Sequence, residues 1–364
     1  MENMDRAYMA MALALAQKGA GRVSPNPMVG AVLVKKGKVV GRGAHLRAGE
    51  AHAEILALRD AGTHASGSTL YVTLEPCCHW GKTPPCTEAL IKAGIKRVVA
   101  AVRDPNPRVC GKGFGLLGQA GISVKYGVLE KEAVRLNEIF FHYMRTGTPF
   151  GILKVAVSLD GKIATSTGES RWITGEAARL KAHALRAQVD ALLVGIGTVL
   201  KDDPLLTPRH IHSSNRPWRV VVDSLARTPI HAKILKPAFG KKTFIAVTPR
   251  ASKKNIARLS RAGAEILCIP AHQGGVHLKL LMKVLGRKGV TSVLFEGGGE
   301  VLASALQEKI VQKAVWFIAP MIIGGRKAPT AVEGQGIQQL SRALHLKDTQ
   351  VERIHEDIMV TGYL

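Results

Sequence analysis

The sequence predicts two α/β domains, and three observations carry this prediction. Short apolar strands alternate with helical segments along the whole chain, which is the pattern of α/β architecture. The length of 364 residues exceeds a usual single domain, which has roughly 100–200 residues. Glycine and proline punctuate residues 145–149, where a boundary is therefore expected. We predict domains over residues 1–147 and 148–364.

The first predicted domain begins with a helix over residues 5–17. Its apolar stretch follows Glu2 and Asp5 rather than a basic segment, so it is not read as a signal peptide. Residues 35–38 turn a hairpin between the first two strands. The predicted strands are 29–34, 39–43, 69–73, 97–102 and 122–126. Further helices are predicted after His52 and over 87–93, 114–120 and 130–143.

The second predicted domain restarts with an apolar strand over residues 151–157, which runs into a turn at Asp160-Gly161. Further strands are predicted over 191–194, 219–222, 243–247, 265–269, 292–295 and 314–318, with extended stretches near 346–354 and 359–364. The predicted helices are 176–186, 255–262, 278–286 and 300–307.

Composition and charge narrow the class of protein. Apolar residues at 46% can fill ordinary cores, and no apolar run is long enough to cross a bilayer, which takes on the order of 18 residues. Five cysteines, three of them clustered, favour metal binding in a reducing, cytoplasmic compartment over a secreted disulfide framework. The net charge of +24 suggests anionic partners. Because the basic residues are scattered, we expect small phosphorylated ligands rather than nucleic acid or a membrane.

Two short segments carry the clearest chemistry: His52-Ala53-Glu54, and the stretch from Glu75 to Cys86. Together they offer an imidazole and two thiolates, which suit zinc better than magnesium or calcium. Three protein ligands leave a fourth position for water, as in catalytic sites. Glu54 would stand beside the metal and move protons. Cys86 is expected to open a helix, whose dipole stabilises a thiolate.

Other interpretations of this cysteine-rich segment stay open. Cys78 and His79 could complete a structural zinc site with four protein ligands. The cysteines could also be small buried hydrophobic residues with no metal at all.

A glycine-rich turn, Gly297-Gly298-Gly299, lies between a predicted buried strand and a helix. Such a turn lets a ligand approach the backbone, and the helix N-terminus offers N–H groups to a phosphate. The segment does not match the Gly-x-Gly-x-x-Gly fingerprint. A tight turn without a ligand would explain it equally well.

The chain resembles the bifunctional deaminase/reductase family of riboflavin biosynthesis over residues 1–364. The stretches that carry the resemblance are 24–30, 52–54 and 75–86 in the first half, and 154–160, 168–174, 185–187, 197–204 and 295–300 in the second. The eight residues between Cys77 and Cys86 are its most specific mark, since most other zinc deaminases have two. The resemblance implies a cytidine deaminase-like three-layer α/β/α domain followed by a dihydrofolate reductase-like α/β domain. It also selects Cys77 over Cys78 as a ligand beside His52 and Cys86.

The same resemblance implies where the other ligands bind. One zinc ion per chain and NADPH are the expected cofactors. The implied NADPH contacts are Ala156, Trp172, Thr198, Asp202, Ser224, Gly298, Gly299, Glu300, Val301, Leu302, Ala303 and Ser304. The implied contacts of the phosphorylated substrates are Asn26, His45, His79 and Lys82 in the first domain, and Ser170, Arg186, Leu206, Arg209 and Glu296 in the second. Two arginines also suit a ribose phosphate on chemical grounds.

The implied reactions occur in order. Glu54 assists hydrolytic deamination of a diaminopyrimidinone that carries a ribosylamino phosphate. NADPH then reduces the opened ribose to a ribityl chain. Glu296 is a candidate acid for this second step by position alone. We expect a homo-oligomer, a dimer or a tetramer.

Three rival functions stay open. A deaminase of nucleic-acid bases would share the zinc site but would more usually show Cys-x-x-Cys. A zinc-stabilised binding protein would need a fourth protein ligand. A fusion with one inactive domain is the third.

Overall fold

The computed structural model describes residues 2–80, 84–107, 109–209, 211, 215–236 and 243–364. The chain divides into two compact units, Met1–Gly147 and Thr148–Leu364. Each unit has a sheet covered by helices, so the predicted α/β fold class is confirmed. No helix among the described residues is both long enough and apolar enough to cross a membrane.

The first unit is built on a five-stranded sheet with the order β2-β1-β3-β4-β5. The first two strands form an antiparallel hairpin, and β3, β4 and β5 run parallel. Its strands are β1 (Gly30–Lys35), β2 (Lys38–Ala44), β3 (Thr69–Val72), β4 (Arg97–Ala100) and β5 (Ser123–Tyr126). Its helices are α1 (Glu2–Ala16), α2 (Ala53–Ala61), α3 (Cys86–Lys92), α4 (Lys112–Gln119), α5 (Glu130–Leu136) and α6 (Glu138–Thr146).

Alternate residues of the central strands face opposite helical layers, because side chains along a strand alternate between its two faces. On β1, Ala31 and Leu33 belong to the core that includes Ala57 of α2. Val32, between them, belongs to the core that includes Met9 of α1. The sheet therefore lies between two apolar layers, which gives the three-layer α/β/α arrangement.

The glycine at position 43 allows α2 to pack closely against the sheet. A Cβ atom on Gly43 of β2 would lie 2.0 Å from the carbonyl oxygen of Ala53. Only glycine permits this approach. The start of α2 is thereby fixed against the sheet, together with the flanking residues His52 and Glu54.

A buried carboxylate ties α1 to the sheet. Asp5 accepts hydrogen bonds from Tyr71 at 2.9 Å, from Arg97 at 2.8 and 3.0 Å, and from Lys125 at 3.0 Å. Burial alone would raise the pKa of Asp5, but the bonds from these three donors outweigh it and lower the pKa to about 2. This cluster stabilises the packing of α1 on β3, β4 and β5.

The helix predicted over residues 130–143 is two helices in the structure. Asn137 interrupts it between α5 and α6, with φ −109° and ψ 27°. Its carboxamide bonds the backbone of Met28, on a distant segment, at 2.7 and 2.9 Å. A tertiary contact thus overrides the local helical pattern.

The second unit is built on a nine-stranded sheet with the order β10-β9-β8-β7-β13-β6-β14-β16-β15. The strands from β10 to β14 are parallel, and β16 and β15 continue the sheet in antiparallel fashion. The strands are β6 (Phe150–Ser158), β7 (Ala191–Gly195), β8 (Trp218–Val222), β9 (Thr243–Val247), β10 (Glu265–Cys268), β13 (Ser292–Gly297), β14 (Lys313–Ala319), β15 (Lys347–Ile354) and β16 (Asp357–Tyr363), with a separate hairpin of β11 (Ala271–His272) and β12 (Gly275–Val276).

The helices of the second unit are α7 (Glu176–Gln188), α8 (Ile196–Asp202), α9 (Lys253–Arg261), α10 (Leu278–Arg287) and α11 (Gly299–Gln307). The sequence did not predict α8 or the β11–β12 hairpin, because both are too short to show a clear periodic pattern. The carboxyl ends of β6, β13, β7 and β8 lie side by side. In open parallel sheets, ligands bind at this edge.

Candidate active sites

The three zinc ligands implied by the sequence lie together in the first unit. The ligand atoms of His52, Cys77 and Cys86 are all within 4.8 Å of one another. The Nδ1 atom of His52 lies 3.2 Å from Sγ of Cys86 and 3.5 Å from Sγ of Cys77. His52 directly precedes α2, and Cys86 is the first residue of α3. Two helix N-termini therefore present two of the three groups.

The helix start also organises the two thiols. The backbone N–H of Cys86 donates to Sγ of Cys77 at 3.3 Å. A hydrogen bond from the Cys86 thiol lowers the pKa of Cys77 to about 4, although burial opposes this shift. The same bond raises the pKa of Cys86. Without metal the pair shares one proton, which a divalent cation would displace.

Glu54 is the buried carboxyl beside the three ligands. It is 4% exposed, in the first turn of α2, and it lies outside the ligand group. In the metal-free protein, burial raises the pKa of Glu54 to about 7, and the negative charge of Cys77 adds to the rise. A carboxyl with a pKa near neutrality can both accept and release a proton.

A second hydrogen-bonded group lies against His52. The His45 ring packs edge-on to the His52 ring, with 5.4 Å between the centroids. Its Nε2 atom lies 3.1 Å from Nδ2 of Asn26, and its Nδ1 atom lies 3.2 Å from the carbonyl oxygen of Ala51. Burial lowers the pKa of His45, which favours its neutral form. The structure thus brings Asn26 and His45 to the metal cluster.

His79 and Lys82 are the other two substrate contacts that the resemblance implies for this domain. His79 is half-buried in the cysteine loop, and its Nδ1 atom has no hydrogen-bond partner among the described residues. Lys82 lies outside the described residues.

Glu75 supports the cysteine loop in a way the sequence did not indicate. Its carboxylate accepts backbone N–H groups from Asp104 at 3.2 Å, Gly111 at 2.9 Å and Phe114 at 3.3 Å. It thereby ties the segment before Cys77 to the start of α4. A fully satisfied buried carboxylate of this kind fixes loop geometry.

The donor set fits a catalytic zinc ion. One imidazole and two sulfurs are the ligands that zinc prefers. Within the part of the chain that the structure describes, no fourth histidine, cysteine or carboxylate joins them. Cys78, the alternative ligand, is half-buried and outside the group. The arrangement favours an open fourth position over a closed structural site.

The second unit has a cavity of about 500 Å³ at the carboxyl edge of its sheet. At its base, Arg186 donates two hydrogen bonds to Glu296, at 2.7 Å from Nε and 2.5 Å from Nη2. Burial would raise the pKa of Glu296, but Arg186 outweighs it, so the net shift is downward. Glu296 is therefore ionised, and Arg186 has two N–H groups already engaged.

Lys154 lines the same cavity and was not identified from the sequence. Burial lowers the pKa of its ammonium group, and the charge of Glu296 only partly opposes this. The sequence does contain a signal for this residue, because Lys154 is the only charged residue in the apolar strand β6.

The other substrate residues implied for this unit surround the cavity. Ser170, Leu206 and Arg209 all line it. Arg209 is exposed, and its backbone N–H bonds Nδ1 of His183 on α7 at 3.1 Å. Because the Arg186 guanidinium is paired with Glu296, Arg209 is the more available group for a phosphate.

A wider cleft of about 1480 Å³ continues from the cavity along the carboxyl ends of the strands. All the implied NADPH contacts line it: Ala156, Trp172, Thr198, Asp202, Ser224, Gly298, Gly299, Glu300, Val301, Leu302, Ala303 and Ser304. Trp172 is 64% exposed, with the Arg179 guanidinium 4.6 Å from its ring centroid. It is therefore a surface residue of the cleft and not part of the core.

The glycine-rich turn forms the floor of this cleft. A Cβ atom on Gly297 would lie 2.8 Å from Oγ1 of Thr198, and Gly298 has φ +74°. Neither position suits a larger residue. The turn opens the nine-residue helix α11 towards the cleft. A helix N-terminus and a closely approachable backbone fit the pyrophosphate of a dinucleotide.

Both halves of the chain match known protein families. Residues 2–102 match the cytidine and deoxycytidylate deaminase zinc-binding region. Residues 149–360 match the RibD C-terminal domain. Fold and sites together define a zinc-binding deaminase domain joined to a reductase domain.

Relatives and solved structures extend the match over the full chain. The riboflavin biosynthesis protein RibD of Bacillus amyloliquefaciens is 44% identical over 359 residues, covering 99% of this chain and 96% of the relative. The structure of Acinetobacter baumannii RibD (form 1) has a TM-score of 0.89 and 38% identity, covering 100% of this chain and 99% of that one. A Thermotoga maritima diaminohydroxyphosphoribosylaminopyrimidine deaminase/5-amino-6-(5-phosphoribosylamino)uracil reductase has a TM-score of 0.85 and 34% identity, with the same coverage.

The chain belongs to the RibD family of bifunctional riboflavin biosynthesis enzymes, which combine a deaminase and a reductase. The resemblance seen in the sequence is therefore confirmed, as is the interpretation that the chain is an enzyme.

Proposed function

We propose that residues 1–147 deaminate 2,5-diamino-6-(5-phosphoribosylamino)pyrimidin-4(3H)-one and that residues 148–364 reduce 5-amino-6-(5-phosphoribosylamino)uracil. The observation that carries the proposal is the convergence of His52, Cys77 and Cys86 with Glu54 buried beside them. The Thermotoga maritima relative is named for these two activities.

In the deamination, His52, Cys77 and Cys86 would hold zinc. Zinc bound there would supply hydroxide at neutral pH by acidifying a water molecule. Glu54, buried beside these ligands, accepts the proton of the attacking water and returns it to the leaving amino group. Asn26, which is hydrogen-bonded to His45, orients the pyrimidine. The five cysteines are free thiols, which supports a reducing, cytoplasmic location.

In the reduction, the cleft residues would hold NADPH, which supplies the hydride. Glu296 is poorly suited to act as an acid because Arg186 keeps it ionised. Lys154 lies beside this pair, and burial makes its ammonium group more acidic than usual. We assign Lys154 as the residue that donates a proton to the ribose ring oxygen as the sugar opens, and the charge of Glu296 partly offsets the effect of burial on the pKa of Lys154.

A preference for NADPH over NADH has support at the β8 end of the cleft. Arg227 is exposed and lines the cleft near Ser224, where it could bind a 2′-phosphate. The nearby acid, Asp223, is fully buried. Its Oδ2 atom accepts hydrogen bonds from the N–H and hydroxyl of Thr228 at 2.7 and 2.8 Å, and its Oδ1 atom lies 3.7 Å from Nε of Arg227. Its burial and its ion pair with Arg227 keep Asp223 from the ribose 2′-hydroxyl that an NAD-type acid would bind.

The proposed homo-oligomer has support at the edge of the larger sheet. Strand β15 is the terminal strand, and seven of its eight residues are exposed. Val351 on this strand is 69% exposed, and Ile322 and Leu340 are 77% and 90% exposed. A terminal strand leaves backbone N–H and C=O groups that can pair with another chain. Light scattering of the wild type and of Val351→Lys would test this, with a smaller mass expected for the variant.

A coupled assay with purified protein tests the two activities. Glu54→Ala should abolish ammonia release from the diamino substrate and still oxidise NADPH with the deaminated intermediate. Glu88→Ala, which alters an exposed carboxylate on α3, is the matched control and should keep both activities. If Glu54→Ala still releases ammonia, the deaminase assignment is wrong. If the wild type does not oxidise NADPH with the intermediate, the reductase assignment is wrong.

A further inference from the structure

The break between α5 and α6 is joined to the segment that carries Asn26. Asn137 is 3% exposed, and its side chain makes both of its amide hydrogen bonds to one residue. Its Oδ1 atom accepts the N–H of Met28 at 2.7 Å, and its Nδ2 atom donates to the carbonyl oxygen of Met28 at 2.9 Å. A buried side chain that satisfies both backbone groups of one residue holds that residue in a single orientation.

The residues that follow Met28 are fixed as well. The carbonyl oxygen of Val29 accepts the backbone N–H of His45 at 2.9 Å. Gly30 donates to Oγ1 of Thr73 at 3.1 Å. Residues 28–30 are thus held at three successive positions on the C-terminal side of Asn26, and Asn137 holds the first of them. On the other side, the N–H of Asn26 donates to the carbonyl oxygen of Val23 at 2.8 Å.

The side chain of Asn26 is in turn oriented by His45. The Nδ1 atom of His45 faces the carbonyl oxygen of Ala51, so Nδ1 carries the proton. Nε2 is then an acceptor, and it lies 3.1 Å from Nδ2 of Asn26. The amide nitrogen of Asn26 is engaged with His45, which leaves its Oδ1 atom to accept a hydrogen bond from an exocyclic amino group or ring N–H of a pyrimidine.

We propose that Asn137 is a positioning residue for the deaminase site, which acts through Met28 to fix the side chain of Asn26. The inference rests on the proposed deamination. Asn137 touches none of the zinc ligands; its effect is on how the substrate is held.

Two single variants and their combination test the inference. Asn137→Ala should raise the KM of ammonia release on the order of tenfold, the effect of losing one or two hydrogen bonds, with kcat changed less than threefold. Asn26→Ala should raise KM at least as much. If Asn137 acts only through Asn26, the double variant will have the KM of Asn26→Ala. Additive effects on KM would overturn the proposal, because the cycle would show no coupling.

Three further measurements separate positioning from a general loss of structure. Zinc content should remain one ion per chain in Asn137→Ala, and loss of zinc would contradict the proposal. Asn137→Asp keeps the acceptor for the Met28 N–H and should show a smaller rise in KM. If the alanine variant does not fold, Asn137→Asp replaces it in the test. Asn215→Ala removes a comparable side chain, which bonds the carbonyls of Ala187 and Val189 in the other unit at 2.9 Å, and should leave the KM of ammonia release unchanged.

A substrate-free measurement keeps this inference distinct from the proposed function. In protein labelled with ¹⁵N-histidine, the His45 ring signals should report one tautomer, with the proton on Nδ1. Asn137→Ala and Asn26→Ala should both perturb these signals in the same way. If the wild type releases no ammonia, the proposed function fails, but the spectra still decide whether Asn137 orients Asn26. Unchanged His45 signals in Asn137→Ala would overturn the inference.

Discussion

The two sites of this chain are built in different ways. The metal centre of the deaminase site consists of groups that lie within two short segments, and two of its three metal ligands are placed by helix starts at His52 and Cys86. The reductase site gathers residues from the ends of strands far apart in the sequence, such as Lys154 on β6 and Glu296 on β13. A local motif can therefore carry a site whose chemistry comes from a metal. A site for two organic ligands needs the whole sheet edge.

Removing the metal should have the largest effect, because it should abolish one activity and leave the other. A chelator should abolish ammonia release, because the donor groups alone cannot acidify water. NADPH oxidation with the deaminated intermediate should persist, since the described part of residues 148–364 contains no cluster of metal-ligating side chains. Adding zinc back should restore ammonia release. Loss of both activities on chelation would show that the two sites are not independent.

Replacing Lys154 should produce the next largest effect. Lys154→Met keeps the length of the side chain but removes the proton, so the rate of NADPH oxidation should fall by roughly 10²–10⁴-fold, with ammonia release unchanged. Lys313→Met, on the neighbouring strand β14, is the control and should stay close to wild type. A Lys154→Met variant with more than a tenth of the wild-type rate would exclude Lys154 as the proton donor.

Replacing Arg227 should change cofactor choice without affecting the first site. Arg227→Ala should weaken NADPH binding on the order of tenfold, as expected for loss of a charge-assisted contact to phosphate, and should leave NADH binding unchanged. Fluorescence titration with each cofactor would measure this. Arg250→Ala, an exposed arginine away from the cleft, is the control. Equal weakening of NADPH binding and NADH binding would show that Arg227 does not bind the 2′-phosphate.

Replacing Asp5 should affect the stability of residues 1–147 alone. The folded protein holds the pKa of Asp5 at about 2, below its ordinary 3.8, so Asp5→Asn should cost about 2 kcal/mol of unfolding free energy at pH 7. In the wild type this stability is present above pH 4 and is lost as pH falls towards 2. The variant should lack that part of the pH dependence. Glu2→Gln, on the same helix, is the control.

The sequence predicted the elements and residues whose signals are local. The cysteine segment, the first helix and the glycine-rich turn could be identified because spacing and composition are visible in a few neighbouring residues. The interruption at Asn137 could not, since it depends on a contact with Met28, 109 residues away. The pairing of Arg186 with Glu296 across 110 residues was equally hidden. Pairs of this kind are set by how strands and helices pack, and a sequence pattern does not contain them.

X-ray absorption spectroscopy of the zinc-loaded protein tests the central claim most directly. If His52, Cys77 and Cys86 form an open catalytic site, the zinc shell will contain two sulfurs at about 2.3 Å, one nitrogen at about 2.0–2.1 Å and one further oxygen from solvent. Cys78→Ser should leave this shell unchanged, because Cys78 lies outside the ligand group. A third sulfur or a second histidine nitrogen in place of the oxygen would contradict the account.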